Sequence, residues 1–485
     1  MATTNFDTYD IQIRENRLNS ITAYYGEKEK FVYSSRNCAL KKCDRCYKQS
    51  SSCLATTAMC SLTGIKNLAI VYHAPAGCNA VQNYLLKLLS QKRNDICHFV
   101  CTDLNEKDTV FGAISALREI VRKTYRERKP DAIVVASSCT SGIIGEDIEG
   151  LVTELSDELP VPVVSAHCEG FKSHIWANGW DIADHAIFGL IKPPKEKRNV
   201  VYIRDGSSGA LSRPTIAEAI SALGVEPIFC YTGASVEQIS YMSEALATVS
   251  TCHTWGAYIG TFLQEKYGVP YVNTVSPHGV EGFEVWYREL ARIIGKQKEA
   301  EKFIAEKRSI YIPKIQALKE QLQGKRVLLG MGPGFAFDIA RLAKEFGMEV
   351  IYELAWHNDE KLDTQTLPPY LENFNEEFDS KLKVGITDFQ SHEIINIVNK
   401  YKPDLCILRH AGASSYSAKL GIPVFFFEED KLAVGYEKTW KFGRALADYF
   451  TNTAFEKNLQ KHTRLPFSKW WLEQDPGKFI EEKKN

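Results

Sequence analysis

From residue 65 onward, short apolar runs alternate with stretches in which apolar residues recur at helical spacing. Residues 68–72, 132–136 and 161–165 are short apolar runs, and residues 110–128 place an apolar side chain at every third or fourth position. Buried strands of parallel sheets read as short apolar runs, whereas an amphipathic helix has a period of about 3.6 residues. The pattern therefore predicts a series of strand–helix units.

The same alternation begins again twice further along the chain. We predict strands at 200–203 and 227–231 in a second unit, and strands at 327–330, 349–352 and 405–408 in a third. The charged residues 285–323 between these two units have the pattern of a long inter-domain helix. The polar and aromatic residues 1–37 are expected to wrap another domain or subunit.

Three such units predict an α/β fold of three Rossmann-like domains, each a parallel sheet flanked by helices, around a central site. The predicted domains are 1–197, 198–323 and 324–440, and residues 441–485 are expected to form a helical tail that packs back on the first domain. Ligands of open parallel sheets collect at the carboxyl ends of the strands. A cofactor between the domains is therefore the default expectation.

Composition narrows the class of protein. The 485 residues carry a formal net charge of −1, which gives no reason to expect a nucleic acid or an anionic membrane surface as partner. No apolar run approaches the roughly 18–20 residues of a membrane span, and the polar first residues do not resemble a signal peptide. We expect a cytoplasmic protein.

The chain has thirteen cysteines, and six of them lie between Cys38 and Cys78. The odd number and the absence of a secretion signal count against a disulfide framework. Cys43 and Cys46 have the C-x2-C spacing of a metal site, with Cys38 close by. A zinc site, an extra iron–sulfur cluster and a basic surface segment with inert thiols all remain open for these three residues.

Other cysteines follow predicted strands. Cys78 comes after the turn residues Pro75 and Gly77, at the predicted junction between a strand and the next helix. The dipole at the start of that helix favours a thiolate. Cys139 and Cys168 follow two further strands. These thiols are expected at one edge of the first sheet, which is a suitable environment for an anionic metal cluster.

Taken together, these motifs resemble the catalytic and scaffold subunits of the nitrogenase component 1 superfamily. The resemblance covers nearly the whole chain, and no single motif carries it alone. The matching motifs are, in chain order, Cys53 with His73 to Cys78, Cys139 with Gly142 to Asp147, Cys168-Glu169-Gly170-Phe171, Cys252 ahead of Lys266-Tyr267-Gly268, Glu353-Leu354-Ala355 with His357 to Asp359, Lys402-Pro403-Asp404, and Gly421-Ile422-Pro423.

The resemblance implies two metal sites. Cys53, Cys78 and Cys139 match the three ligands that such a subunit gives to an iron–sulfur cluster shared with a sister subunit, which is an eight-iron P-cluster in nitrogenases and a 4Fe-4S cluster in simpler relatives. Cys252 matches the thiolate ligand of a second iron–sulfur cofactor, nitrogenase-cofactor-like or its precursor. The implied partners are a K-type sister subunit, in a heterotetramer with two copies of each, and an ATP-dependent iron–sulfur reductase protein as electron donor.

The sequence also departs from nitrogenase. Glu437 aligns with the histidine that holds the far end of the nitrogenase cofactor, and Trp176 and Trp180 replace a glutamine and a histidine above its reactive irons. Gly332-Pro333-Gly334-Phe335 replaces an arginine loop. Indole rings cannot relay protons to dinitrogen but can enclose an apolar substrate. Dinitrogen reduction is therefore not expected.

Two functions fit these features. The first is a nitrogenase-like reductase, closest to the methylthio-alkane reductase group, with Trp176 and Trp180 around the substrate. The second is a non-catalytic scaffold on which a cofactor matures. A third type, the bacteriochlorophyll-type reductase subunit, has no second cluster and no need of Cys252.

We also single out three residues as candidate cofactor neighbours. His410 follows a predicted strand of the third domain. Glu353 and His357 are expected to orient the ligands of the cofactor rather than to bind the metal themselves. A lone histidine more often has a structural role, so that alternative stands beside each assignment.

Overall fold

The computed structural model describes residues 6–9, 24–36, 53–90, 97–173, 175–206, 212–358, 367–386, 394–409, 411–427 and 431–478. Within these residues, helices surround three sheets. None of the described helices combines the length and the apolar character that crossing a membrane requires.

The strands and helices are numbered separately in chain order. The described strands are β1 Tyr24–Glu27, β2 Leu68–Tyr72, β3 His98–Cys101, β4 Ala132–Ala136, β5 Val163–Ala166, β6 Val200–Arg204, β7 Glu226–Phe229, β8 Ala247–Ser250, β9 Arg326–Met331, β10 Glu349–Ala355, β11 Lys383–Ile386, β12 Leu405–Leu408 and β13 Val424–Phe426. The described helices are α1 Lys28–Arg36, α2 Leu54–Leu62, α3 Ala76–Ser90, α4 Glu106–Phe111, α5 Ile114–Arg128, α6 Cys139–Ile144, α7 Ile148–Glu158, α8 Asn178–Phe188, α9 Arg213–Ala222, α10 Val236–Ser240, α11 His253–Tyr267, α12 Gly279–Ile294, α13 Gln297–Leu322, α14 Pro333–Glu345, α15 Pro369–Glu377, α16 Ile394–Tyr401, α17 Ala411–Lys419, α18 Gly435–Thr451, α19 Ala454–His462 and α20 Lys469–Leu472.

The three sheets have the strand orders β3-β2-β4-β5, β7-β6-β8 and β1-β11-β10-β9-β12-β13. Every described pair of neighbours is parallel except β1 and β11. Helices pack on each sheet, as α7 does on β5 and α14 on β10. The predicted α/β class of three parallel-sheet units is confirmed, and each sheet collects its strand-to-helix loops at one edge.

Two predicted helices are each divided in two. The segment 110–128 contains the end of α4 and the whole of α5, separated at Gly112, whose φ of +80° no regular helix accommodates. The segment 285–323 likewise contains the end of α12 and the whole of α13, because Gly295 ends α12 in the left-handed conformation at φ +71°.

Strand β1 and the C-terminal helices α19 and α20 pack on the third unit. Strand β1 adds an antiparallel edge to that sheet, in line with the expectation that residues 1–37 wrap another domain. At the other end, Asn399 donates a hydrogen bond of 3.0 Å to the Leu472 carbonyl, and Gln460 donates one of 2.8 Å to that of Leu420. This corrects the predicted packing of the tail on the first domain, because the polar groups that its helices satisfy lie on α16 and next to α17.

Helices α2 and α8 lie in close contact at Gly179. A Cβ atom on Gly179 would lie 2.4 Å from the Leu54 carbonyl oxygen and 2.6 Å from Cβ of Thr57. A side chain there therefore has to push the two helices apart. This contact matters for function because α2 follows Cys53 directly and α8 carries Trp180.

Gly179→Ala is expected to lower the free energy of unfolding by about 1–3 kcal/mol, the usual cost of overpacking a buried contact. Urea unfolding of the two proteins measures the difference. Gly77→Ala is the matched control, because a Cβ there meets nothing within 4 Å. Equal losses in both variants would contradict the tight α2–α8 contact.

Candidate functional site: two thiol centres

Cys53, Cys78 and Cys139 meet at the carboxyl edge of the first sheet. Cys53 is the N-cap residue of α2, Cys78 lies in the first turn of α3, and Cys139 begins α6. The Tyr72 hydroxyl lies among them: its pKa is raised first by burial and then by the thiolates of Cys168, Cys78, Cys53 and Cys139. The strand pattern thus predicts correctly that Cys78, Cys139 and Cys168 share one edge.

A backbone contact orients one of these thiols. The Gly170 N–H donates a hydrogen bond of 3.1 Å to Sγ of Cys139. A Cβ atom on Gly170 would lie 3.3 Å from the same sulfur, which is tight enough to displace it. Cys168 lies behind this loop and is buried, and its own N–H bonds to Oγ of Ser137 at 2.9 Å.

A buried histidine–carboxylate contact joins the loops that carry the thiols. His73, at the end of β2, contacts the Glu146 carboxylate through Nε2 and Oγ1 of Thr102 through Nδ1 at 2.9 Å. Glu146 also accepts a bond from the Ala113 N–H. Because His73 precedes Cys78 and Glu146 follows α6, the pair fixes the two thiol-bearing loops relative to each other.

The donor set fits an iron–sulfur cluster that is completed from outside the chain. Cys53 and Cys139 are exposed, while Cys78 is partly buried. Among the described residues, no three His, Cys, Asp or Glu side chains are spaced to bind a single metal ion. Thiolates that each bind a different iron of a cluster stand further apart than the ligands of one ion.

Several exposed apolar side chains lie on the elements around the exposed thiols. The elements that carry them are α3, which contains Cys78, α6, which begins with Cys139, α4, which packs on α6, and the loop next to Gly170. Exposed apolar patches of this kind mark interaction surfaces. The exposed side chains are Val81, Tyr84, Val110, Phe111, Ile143 and Phe171, with 52% to 82% of their surface accessible.

Cys252 forms a second and buried thiol centre. It is the N-cap residue of α11, is 1% exposed, and its N–H donates to Oγ of Ser250 at 3.2 Å. The start of α14 lies against it: a Cβ atom on Gly334 would lie 2.8 Å from the Cys252 sulfur. The small residue Gly334 therefore lets the backbone approach the thiol closely.

Aromatic rings enclose this thiol. Trp180 meets Trp255 edge-on at 6.2 Å between ring centroids, and Trp255 meets Phe335 at 5.2 Å. The Arg409 guanidinium lies 5.0 Å from the centroid of Phe335. The cavity is lined by Trp176, Ala177, Trp180, Cys252, Thr254, Trp255, Gly332, Phe335, His357 and Arg409.

The structure thus brings together Cys252, Trp176, Trp180 and His357, as the motifs predict. Trp255 and Arg409 were not predicted as part of this wall. The sequence contains a signal that could have identified Trp255, because this residue lies about one helical turn after Cys252.

The chemistry of the wall fits an anionic iron–sulfur group. Cys252 offers a thiolate, Arg409 offers a positive charge, and Gly334 leaves space beside the sulfur. Between the described side chains the cavity measures about 30 Å³, room for about two water molecules. An iron–sulfur cofactor is larger than this space. It would therefore have to extend past these side chains or displace an indole ring.

Two of the predicted cofactor neighbours, Glu437 and Glu353, lie outside the cavity wall. Glu437 lies in the first turn of α18 and pairs with Lys441, in a different pocket that Tyr311 also lines, so its predicted place at the cofactor is corrected. Glu353 is fully buried within β10 and is not part of the cavity wall. His410, like Cys38, Cys43 and Cys46, lies outside the described residues.

Behind Trp180 lies a buried ion pair. Nε of Arg204 is 3.1 Å from Oδ1 of Asp184, with both side chains at most 1% exposed. The guanidinium also lies 4.4 Å from the ring centroid of Tyr231 and 5.6 Å from that of Trp180, and it donates to Oγ of Ser61 on α2. Arg204 therefore links Trp180, in the wall of the Cys252 cavity, to α2, the helix that follows Cys53.

Comparison with known proteins agrees with this geometry. The family model described as nitrogenase component 1 type oxidoreductase matches residues 53–451. The nitrogenase molybdenum-iron protein alpha chain of Methanothermobacter marburgensis is 28% identical over 406 residues, 78% of this chain and 82% of that protein. The nitrogenase iron-molybdenum cofactor biosynthesis protein NifE of Methanococcus maripaludis is 24% identical over 464 residues, 91% of this chain and 94% of that protein.

A solved structure of nitrogenase Cp1 at pH 5 shares the fold. It superposes with a TM-score of 0.70 at 20% identity, over 85% of this chain and 90% of that one. The resemblance inferred from the motifs is confirmed, and the chain belongs to the nitrogenase component 1 family.

Proposed function

We propose that this chain is the catalytic, D-type subunit of a nitrogenase-like reductase. Cys53, Cys78 and Cys139 would hold an iron–sulfur cluster that accepts low-potential electrons, and Cys252 would hold a second iron–sulfur cofactor at which those electrons are used. The observation that carries this proposal is the opposite exposure of the two thiol centres. Cys139 is open at the surface, whereas Cys252 is 1% exposed behind aromatic rings.

The first centre is suited to electron entry between subunits. Its exposed thiols leave iron sites for ligands from a K-type sister subunit, and the apolar patch around them offers that subunit a surface to bury. The shared cluster is of the eight-iron P-cluster type or a 4Fe-4S cluster. Family membership supports an ATP-dependent iron–sulfur protein as the electron donor.

The second centre is suited to reducing a small apolar molecule. Iron–sulfur groups supply electrons at low potential to a molecule bound beside them. Trp176, Trp180 and Phe335 keep water away from that place and contact apolar atoms, while Arg409 offsets negative charge. We therefore propose a substrate such as a methylthio-alkane, whose C–S bond is cleaved by reduction.

The alternative is a scaffold subunit for maturation of a nitrogenase-type cofactor. The observation in its favour is the similarity to NifE, which is 24% identical along 91% of this chain. A scaffold has no need of a fitted apolar wall, so the enclosure of Cys252 by Trp180, Trp255 and Phe335 favours the reductase.

Turnover of a volatile thioether distinguishes the two. The complex with its sister subunit and reductase protein is supplied anaerobically with ATP and dimethyl sulfide, and methane and methanethiol are measured. Trp180→Ala is expected to lower kcat/KM by about tenfold or more, because it removes apolar contact with the substrate. Trp470→Ala, at an exposed tryptophan of the tail, is the matched control and leaves kcat/KM unchanged. A complex with full iron content and no turnover would instead support the scaffold.

A further inference from the structure

His278 is a histidine buried behind the second thiol centre. It is the N-cap residue of α12, it is 0% exposed, and Nε2 of its ring lies 3.2 Å from the Thr251 carbonyl oxygen. Burial, and then the charge of Arg341, lower the pKa of His278 to about 3, so the ring is neutral. Because a carbonyl oxygen only accepts hydrogen bonds, the one N–H of this neutral ring is on Nε2 and donates to Thr251.

This bond holds one end of the peptide unit that leads into Cys252. The same unit joins the Thr251 carbonyl to the Cys252 N–H, and that N–H donates to Oγ of Ser250 at 3.2 Å. The next peptide unit is held as well, since the Cys252 carbonyl accepts two N–H groups of the first turn of α11 at 3.1 and 3.2 Å. Peptide units are planar, so fixing both planes fixes the direction of the Cα–Cβ bond of Cys252. His278 therefore helps to decide where the thiol points.

The histidine is itself held by the third unit. Its carbonyl accepts a hydrogen bond of 3.1 Å from the Arg341 guanidinium on α14. Its ring packs against that of Phe335, with 5.3 Å between the two centroids. Helix α14 also brings Gly334 against the Cys252 sulfur. His278 thus connects the loop that carries the thiol to the helix that forms part of the cavity wall.

We propose that His278 is a positioning residue for the Cys252 thiolate. Its N–H holds the preceding peptide in one orientation, and this orientation presents the sulfur to the second iron–sulfur cofactor. The other ring nitrogen, Nδ1, has no hydrogen-bond partner among the described residues. The Thr251 carbonyl is thus the polar contact that the structure gives this ring. The inference rests on the proposed cofactor at Cys252.

The orientation matters because Cys252 is the one ligand assigned to that cofactor. A group attached through one cysteine can turn about the Cα–Cβ and Cβ–Sγ bonds, so the direction of the first bond decides where the group lies. Partners that orient a ligand without touching the metal typically change metal affinity by about 10–100-fold. Loss of the His278 N–H is therefore expected to loosen the cofactor although no ligand is removed.

The rate of iron release from the purified complex tests this role without turnover. His278→Met and His278→Gln introduce side chains of equal length, but only the glutamine amide has an N–H to donate to Thr251. The anaerobic complex is mixed with the ferrous-iron chelator bathophenanthroline disulfonate, and the release of the iron that Cys252→Ala lacks is followed. His278→Met is expected to release this iron about tenfold faster or more and to broaden its paramagnetic signal, whereas His278→Gln stays close to the wild type.

His185→Met is the matched control. Nε2 of His185 also contacts a carbonyl oxygen, that of Thr8 at 2.7 Å, but His185 does not line the cavity, so its loss leaves the release rate and the signal unchanged. Equal release in the wild type and His278→Met would overturn the proposal. Equal acceleration in His278→Met and His278→Gln would also overturn it, because the effect would then come from packing.

If His278→Met does not assemble, His278→Asn takes its place. The shorter asparagine amide cannot put its N–H at the position of Nε2, so this variant is expected to release iron faster than His278→Gln, and equal rates in the two would overturn the proposal. A wild-type complex with no more iron than Cys252→Ala would overturn the second cofactor itself. That result is distinct from a wild type that holds the cofactor and is unaffected by changes at His278, which would overturn only the positioning role.

Discussion

Cys139→Ala is expected to strip the complex of the iron of its first centre while the fold remains intact. The Cys139 thiol begins α6 at the surface, and its sulfur accepts the Gly170 N–H. An alanine offers no ligand to iron, and a cluster that has lost one of three thiolates on this side is open to solvent. Iron per complex after anaerobic purification measures the loss, and the cluster's paramagnetic signal should disappear with it.

Cys60→Ala is the matched control for this prediction. Cys60 lies on α2, the helix that begins after Cys53, and is partly buried. Its replacement is expected to leave the iron content unchanged. Equal iron in the wild type and in Cys139→Ala would show that the first centre is not a cluster site.

Arg204→Met is expected to lower the free energy of unfolding by about 3–5 kcal/mol, the usual cost of removing one partner of a buried ion pair. The loss arises because Asp184 is left 0% exposed without its cation, and because Trp180 and Tyr231 lose the cation that lies against their rings. Urea unfolding of the purified chain measures it.

Arg118→Ala tests whether that loss is specific to burial. Arg118 bonds Glu154 at 2.9 Å, but the side chains are 28% and 47% exposed. Surface pairs of this kind contribute about 0–1 kcal/mol. Similar losses in both variants would contradict the structural importance of the buried pair behind Trp180.

Local patterns predicted eight of the thirteen described strands, because a buried parallel strand is visible as a short apolar run, and they missed β1, β3, β8, β11 and β13. The runs at 68–72, 132–136 and 405–408 became β2, β4 and β12 with unchanged bounds. The helix breaks at Gly112 and Gly295 were missed, since a single glycine inside a periodic pattern is compatible with a continuous helix.

The residues of the candidate site that belong to family motifs were predictable. Those that join the site through contacts between distant parts of the sequence were not. Cys252, Trp180 and His357 meet in one cavity, as the family motifs indicated. Glu437 was misplaced, because a match by alignment does not report which way the first turn of α18 faces. The contacts of Arg204 could not be predicted from the sequence, because they join residues that no local sequence pattern connects.

The most direct test of the two-centre account is an iron count on the purified complex of this chain with its sister subunit. Wild type, Cys139→Ala, Cys252→Ala and the double variant are compared after identical anaerobic purification. The account predicts that each single variant loses a different part of the iron and that the double variant loses the sum of the two. Equal iron in wild type and Cys252→Ala would contradict it, because the buried thiol would then hold no second cofactor.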